Sequence, residues 1–229
     1  RILDEAGAAR AELSQHSGRV QGRLRLSLPL VSDLVLPLLS DFMQAYPQVL
    51  LDLDFTDCRV DVVEEGFDAV LRVGEPGDSR LTARRIGRFR RCLVASPDYL
   101  ARHGTPHAPA DLQAHRCLRY RYPSSGKLEA WPLRGTESEP AASESMVCNT
   151  VEAQVCFARR GSGIAYVPEH SVRTALADGS LVRLLDGAVD DPGTFYLLWP
   201  SGRHMLPKLR VFIDFVDQRL LREDRGLCL

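Results

Sequence analysis

The alternation of strand and helix patterns between residues 22 and 73 constrains the fold of this chain most strongly. Leucines recur at every second position from Leu24 to Leu28, which predicts a strand. The predicted elements that follow are a helix ending at Tyr46-Pro47, a strand at 51–55, a short helix from Asp57 to Gly66 and a strand at 68–73. Because crossover connections of about 15 residues join parallel strands with right-handed geometry, this order predicts an α/β fold with a parallel sheet.

A second block of strand and helix patterns lies beyond a stretch of different character. Residues 103–142 are rich in proline, glycine, histidine and serine, and regular periodicity resumes at Ser145. A helix is predicted from Val151 to Ala158, a strand at 164–167 and a closing amphipathic helix at 206–220. A chain of 229 residues is long enough for two lobes of about 100 residues each. The two blocks therefore favour two lobes over one.

The first 21 residues carry a narrow apolar stripe. Its members, at 4-3-4 spacing, are Ile2, Ala6, Ala9 and Leu13. This spacing predicts a helix that pairs with a second copy, as in a coiled coil, although a short amphipathic tail fits the same pattern. The chain opens on Arg1 rather than methionine, so we expect the native start to lie upstream.

Charge, cysteine content and hydropathy exclude several classes of protein. The formal net charge is −1, which is unlike the basic balance of a nucleic-acid-binding domain. Six cysteines occur without a CxxC pair or a Cys/His cluster, so we expect neither a metal nor a cofactor and favour a reduced, cytoplasmic setting. No apolar run reaches the roughly 20 residues that a membrane-spanning helix needs.

Five short motifs in this order resemble LysR-type transcriptional regulators. The motifs are Gly22-Arg23-Leu24-Arg25-Leu26, Leu36-Pro37-Leu38-Leu39 with Phe42 and Tyr46-Pro47, Glu65 to Gly74, Ser96-Pro97-Asp98-Tyr99-Leu100 with Gly104-Thr105-Pro106, and Gly161 to Pro168. Each string is short, but their common order and spacing make coincidence a poor explanation. The resemblance spans residues 22 to about 222, and residues 1–21 stand where the family has its linker helix.

The resemblance implies a two-lobed, periplasmic-binding-protein-like (type 2) α/β domain with a short N-terminal helix. It implies a small-molecule effector held between the lobes, a homo-oligomer (dimer or tetramer), and promoter DNA contacted only through an N-terminal domain that this sequence lacks. The resulting boundaries are 1–21 for the linker helix, 22–95 with 200–222 for lobe I, 96–199 for lobe II, and 223–229 for a tail.

Candidate effector contacts are the turns at strand ends and helix starts, where backbone N–H groups and the helix dipole favour anionic groups. We single out Leu30, Val31, Ser32, Thr56, Arg72, Ser96, Asn149, Thr150 and Val151. The hydroxyls of Ser32 and Thr150 fit a helix cap as well as an effector contact, and Arg72 fits a structural ion pair as well as a carboxylate. A carboxylate is one candidate effector, although Asp57 would oppose an anion.

Three other interpretations have less support. A periplasmic solute-binding protein of a transport system would share the fold but needs no pairing helix at residues 1–21. Redox sensing at Cys117 competes with its role as a small buried apolar residue. An enzyme needs a nucleophile and a base, and Gly161-Ser162-Gly163 lacks the GxSxG spacing.

The arginine-rich stretch from Arg80 to Arg91 is interpreted as a solvated or subunit-facing surface rather than a nucleic-acid patch.

Overall fold

Two sheets and five α-helices form the described part of a computed structural model of this chain. The structure describes residues 20–30, 32–74, 76–135, 143–189, 192–202 and 205–220. The predicted linker helix therefore lies almost entirely outside the described residues, as do Val31 and the predicted tail.

The helices and strands alternate along the chain. The strands are β1 (Gly22–Leu28), β2 (Val49–Phe55), β3 (Ala69–Val73), β4 (Leu81–Phe89), β5 (Arg91–Ala95), β6 (Arg116–Tyr120), β7 (Ser143–Cys148), β8 (Ile164–Pro168), β9 (Val182–Leu184) and β10 (Gly193–Pro200). The α-helices are α1 (Ser32–Ala45), α2 (Pro97–His103), α3 (Val151–Arg159), α4 (Arg173–Ala177) and α5 (Pro207–Arg219). Two short 3-10 helices lie at Pro109–Ala114 and Glu169–Val172.

Unit 1 is built on the sheet of order β2-β1-β3-β10-β4. It comprises the described residues up to Thr56, those from 60 to 87 and those from 194 onward. Strand β1 runs parallel to both β2 and β3, and β10 runs antiparallel to β3. The parallel arrangement predicted for the first three strands is confirmed.

The core of unit 1 lies between its sheet and two helices. The ring of Phe42 on α1 is fully buried and meets Phe212 and Phe215 of α5 edge-on, with centroids 5.2 and 5.3 Å apart. Such edge-to-face pairs stabilise a core beyond the area they bury. The predicted closing helix therefore completes the unit that the first strand begins.

The prediction of a helix from Asp57 to Gly66 is wrong. Residues 62–66 form turns, in which Oδ1 of Asp61 accepts the N–H groups of Val63 and Glu64. The hydroxyl of Ser124 accepts the N–H of Arg59 at 2.8 Å, within unit 2. A hydroxyl distant in sequence thus holds the start of this segment and the nearby Asp61 carboxylate holds its turns, so the helix signals do not decide its conformation.

Unit 2 contains the second sheet, of order β7-β6-β8-β5-β9, and comprises residues 57–59 and 88–193. Strand β6 is parallel to β7 and β8, whereas β5 is antiparallel to β8 and β9. One apolar cluster, which includes Tyr99, Trp131 and Tyr166, covers one face of the sheet. A second apolar cluster, which includes Ala158 of α3, covers the other face.

Strand β5 belongs to unit 2, whereas the sequence-based boundary placed residues up to 95 in lobe I. The return to unit 1 occurs at Thr194 rather than at residue 200. Strand pairing explains both differences, because β5 pairs with β8 and β9 while β10 pairs with β3. Such pairings join distant residues and leave no local signal in the sequence.

Candidate functional site

One edge of the unit 1 sheet collects most of the predicted contacts in that unit. Leu28 pairs with Phe55, and the N–H of Thr56 donates to the carbonyl of Leu28 at 2.9 Å. Leu30 follows β1 directly, and α1 begins at Ser32. Because parallel strands end at a common edge, the structure brings Leu30, Ser32 and Thr56 to the same side of the sheet, beside the N-terminus of α1.

Arg72, near the end of β3, reaches the same edge. Its Nη1 donates to the carbonyl oxygen of Thr56 and its Nη2 to the hydroxyl of Ser27, each at 2.9 Å. These two hydrogen bonds orient the guanidinium at this edge. Arg72 and Thr56, predicted separately, are thus in direct contact.

Ser27 was missed by the sequence analysis. It is fully buried in β1, between two buried leucines. A central strand of a covered parallel sheet is buried on both faces, so a polar residue in it needs a partner. That combination was the available signal, and the partner is Arg72.

The carboxyl edge of the unit 2 sheet holds the second group of predicted residues. Tyr120 pairs with Cys148 where β6 and β7 end together, and Asn149 follows as an exposed residue. The hydroxyl of Thr150 accepts the N–H of Ala153 at 3.3 Å and caps α3, whose first residue is Val151. The cap predicted for Thr150 is therefore present.

Asp57 has a defined partner within unit 2. The hydroxyl of Tyr120 donates to Oδ2 of Asp57 at 3.0 Å. Burial, and then the Asp57 carboxylate, raise the pKa of Tyr120, so the hydroxyl stays protonated as a donor. The carboxylate expected to oppose an anion is therefore engaged by a hydroxyl proton.

Ser96 lies at the opposite edge of the unit 2 sheet. Strand β5 ends beside the start of β8, whereas Thr150 follows β7 at the edge where β8 ends. The hydroxyl of Ser96 is buried and accepts the N–H of Tyr99, which caps α2. The structure therefore does not bring Ser96 together with Asn149 and Thr150.

Metal-binding groups and buried thiols were also considered among the described residues of both units. In the ranges that the structure covers, no three or more His, Cys, Asp or Glu side chains are grouped to hold a metal ion. Cys92 and Cys117 are buried, and burial raises the pKa of Cys92 to about 12, which disfavours a reactive thiolate. Within those ranges, too, every helix is too short or too polar to cross a membrane.

The two sheets and their helices define an α/β domain of two units. The model of the LysR substrate binding domain matches residues 17–221, and the chain belongs to this family. It is 33% identical to the HTH-type transcriptional regulator CrgA of Neisseria meningitidis over 224 residues, which span 96% of this chain and 74% of CrgA.

Solved structures give the same assignment. A structure of CrgA from Neisseria meningitidis has a TM-score of 0.80 at 31% identity, covering 96% of this chain and 76% of that one. The effector domain of AmpR, a transcriptional regulator of Pseudomonas aeruginosa, has a TM-score of 0.74 at 25% identity, covering 91% of this chain and 100% of that domain.

The chain is therefore the effector-sensing domain of a LysR-type transcriptional regulator. The predicted α/β fold of two lobes is confirmed, and the alternative of a solute-binding protein for transport is not favoured. LysR regulators bind small-molecule effectors, act as oligomers and contact DNA through an N-terminal domain.

Proposed function

We propose that this domain senses a small polar effector that carries a carboxylate or a related anionic group. The observation that carries the proposal is the Arg72 guanidinium, held at the carboxyl edge of the unit 1 sheet by Ser27 and Thr56. The proposed contacts in unit 1 are Leu30, Val31, Ser32, Thr56 and Arg72. Those in unit 2 are Asn149, Thr150 and Val151.

The chemistry of the unit 1 edge favours an anion. Two hydrogen bonds already orient the Arg72 guanidinium, so less rotational freedom is lost when it binds a carboxylate. The N-terminus of α1 at Ser32 adds the positive end of a helix dipole at the same edge. Both features attract negative charge.

The unit 2 edge supports the same ligand class. Helix α3 begins directly after Asn149 and Thr150, so its dipole favours an anionic group there. Asn149 is exposed and carries both a donor and an acceptor. Ser96 is left out of the proposed contacts because its hydroxyl caps α2 at the other edge.

A thermal-shift screen of small carboxylates, with amines and apolar compounds of similar size alongside, tests the ligand class. We expect carboxylates to raise the melting temperature, and Arg72→Gln to weaken their binding by about tenfold or more. Arg85→Gln, which removes a charge from an exposed position of β4, should leave binding unchanged. Stabilisation by amines or apolar compounds alone would contradict the proposal.

We also infer that the chain assembles as a homodimer or tetramer through the apolar stripe of residues 1–21. The oligomeric nature of LysR regulators and the spacing of Ile2, Ala6, Ala9 and Leu13 support this. Sedimentation of the whole chain should show that Leu13→Glu lowers the assembly state whereas Glu12→Gln does not. An unchanged sedimentation profile for Leu13→Glu would refute the role of the stripe.

We further infer that the regulator works in the bacterial cytoplasm and acts on promoter DNA through an N-terminal domain. Membership of a family of DNA-binding transcriptional regulators supports it. Sequencing the gene upstream of the Arg1 codon tests it: roughly 70 codons with a helix-turn-helix pattern are expected. A secretion signal at that position would instead favour export.

A further inference from the structure

The hydroxyl of Tyr99 in unit 2 takes part in two hydrogen bonds. Tyr99 is fully buried on α2, and its oxygen accepts the backbone N–H of Arg116, the first residue of β6, at 2.9 Å. The same oxygen lies 3.1 Å from Nδ1 of His115, which is itself buried. A single hydroxyl thereby joins α2 to the start of β6.

One of these two contacts has a fixed direction. A backbone N–H can only donate, so the Tyr99 oxygen is the acceptor towards Arg116. The hydroxyl keeps its own proton for the contact with His115, whose direction depends on the tautomer of the ring. A hydroxyl proton that points at Nδ1 goes with a neutral ring whose own proton is on Nε2.

We propose that the Tyr99–His115 hydrogen bond is a pH-sensitive latch between α2 and β6. In this latch the Tyr99 hydroxyl donates to Nδ1 of neutral His115. When Nδ1 binds a proton it can no longer accept, so the hydrogen bond donated by the hydroxyl is lost. The hydroxyl then no longer holds the Arg116 amide in a fixed position. This inference concerns unit 2 alone and does not depend on the nature of the effector.

The surroundings of His115 favour its neutral form. Burial lowers the pKa of His115 below its ordinary value of 6.5, and His103 of α2 lowers it further, while Asp111 of the first 3-10 helix raises it. The His103 ring stacks on Tyr99, with 4.6 Å between the ring centroids. The other titratable or charged side chains around Tyr99 are Arg102 of α2 and Arg116 and Cys117 of β6.

The direction of the pH effect follows from this lowered pKa. As the pH falls below 6.5, His115 becomes protonated in the unfolded chain, whereas in the folded chain it becomes protonated only at a lower pH. The stabilisation of the fold by neutral His115 is therefore complete above pH 6.5 and decreases as the pH falls through 6.5. It is lost below the lower pKa that His115 has in the folded state. The latch is closed at neutral pH and opens in acid.

Nitrogen-15 NMR of the imidazole rings, with hydrogen exchange of the Arg116 amide, tests the proposal on the unmodified chain. At about pH 7.5 we expect His115 to carry its proton on Nε2, with an unprotonated Nδ1. The protection factor of the Arg116 amide should fall at least about tenfold as His115 titrates. Tyr99→Phe should lower this protection already at neutral pH and move the pKa of His115 towards 6.5.

Two variants separate the latch from a simple packing role. His115→Gln offers an amide oxygen as an acceptor that does not titrate, so Arg116 protection should stay high in acid. His107→Gln, at an exposed histidine in the same region, should keep the pH dependence of the parent chain. A proton on Nδ1 at neutral pH, or Arg116 protection that ignores the His115 titration, would overturn the proposal.

Discussion

Arg91 and Glu129 form an ion pair in unit 2, with 2.9 Å between Nη1 and Oε1 and only 12% and 9% of the two side chains exposed. The hydroxyl of Tyr122 donates to the same carboxylate oxygen at 3.0 Å. The rings of Phe89 and Tyr166 lie 5.9 and 5.6 Å from the guanidinium carbon. Hydrogen bonds and aromatic faces thus compensate charges that have little contact with water.

Glu129→Ala should therefore destabilise the chain strongly. It leaves the Arg91 charge buried without this carboxylate, which costs about 3–5 kcal/mol. Urea denaturation measures the loss. Asp41→Ala is the matched control, because its ion pair with Arg219 is more than half exposed on both sides, and it should cost about 0–1 kcal/mol. Equal losses for the two variants would show that burial does not set the strength of the pair.

Gly193→Ala should destabilise unit 2 through a steric clash. A Cβ at Gly193 would lie 2.0 Å from Cζ of Phe89, a ring that also meets His170 edge-on. Making room for a methyl group in such packing costs about 1–3 kcal/mol. Gly187→Ala, where a Cβ would meet nothing within 4 Å, should change the free energy of unfolding little. Thermal denaturation of the two variants gives the comparison.

The stability of the chain should fall in mild acid because of His170. Burial, and then the positive charge of Arg173, lower its pKa to about 4, while Glu169 acts in the opposite direction. The folded state favours neutral His170, so stability is full above pH 6.5 and decreases as the pH falls towards about 4. The complete loss amounts to about 3 kcal/mol.

His170→Leu places an apolar side chain, which cannot bind a proton, at this buried position. Urea denaturation between neutral pH and about pH 4 should give a flatter stability profile for His170→Leu than for the parent chain. Parallel profiles would mean that His170 does not take part in the acid response. The difference between the two profiles gives the contribution of His170 to the acid response separately from that of His115.

Thr150→Ala should weaken α3 because it removes the cap. The hydroxyl of Thr150 accepts the Ala153 N–H at 3.3 Å, and loss of such a bond costs about 1 kcal/mol. Thr150→Ser retains the acceptor and should stay within a few tenths of a kcal/mol of the parent chain. If Thr150→Ala weakens carboxylate binding while Thr150→Ser does not, the hydroxyl is needed for effector binding as well as for the cap of α3.

The sequence predicted the elements of this fold well because their patterns are local. The alternating leucines of β1, the stripe of α1 and the proline after Tyr46 each act within a few residues. The loop Gly161-Ser162-Gly163 directly follows the last turn of α3. Only the structure shows why Gly163 fits there, since a Cβ would lie 2.5 Å from the carbonyl oxygen of Arg116.

The candidate contacts divide in the same way. The sequence placed Leu30, Ser32 and Thr56 after parallel strands, and such strands end at one edge by geometry. It could not place Ser96, because the direction of β5 depends on its pairing with β8, some 70 residues away. It also could not show that Arg72 bonds to Ser27 and Thr56.

The sequence by itself thus determined the α/β class, the order of the elements and the family resemblance, all of which depend on short-range patterns. Tertiary structure decided which strands pair, where β5 and β10 belong, and which hydroxyl meets Nδ1 of His115. The physical reason is that hydrogen bonds and side-chain packing join residues that are distant along the chain, and no local pattern specifies such partners.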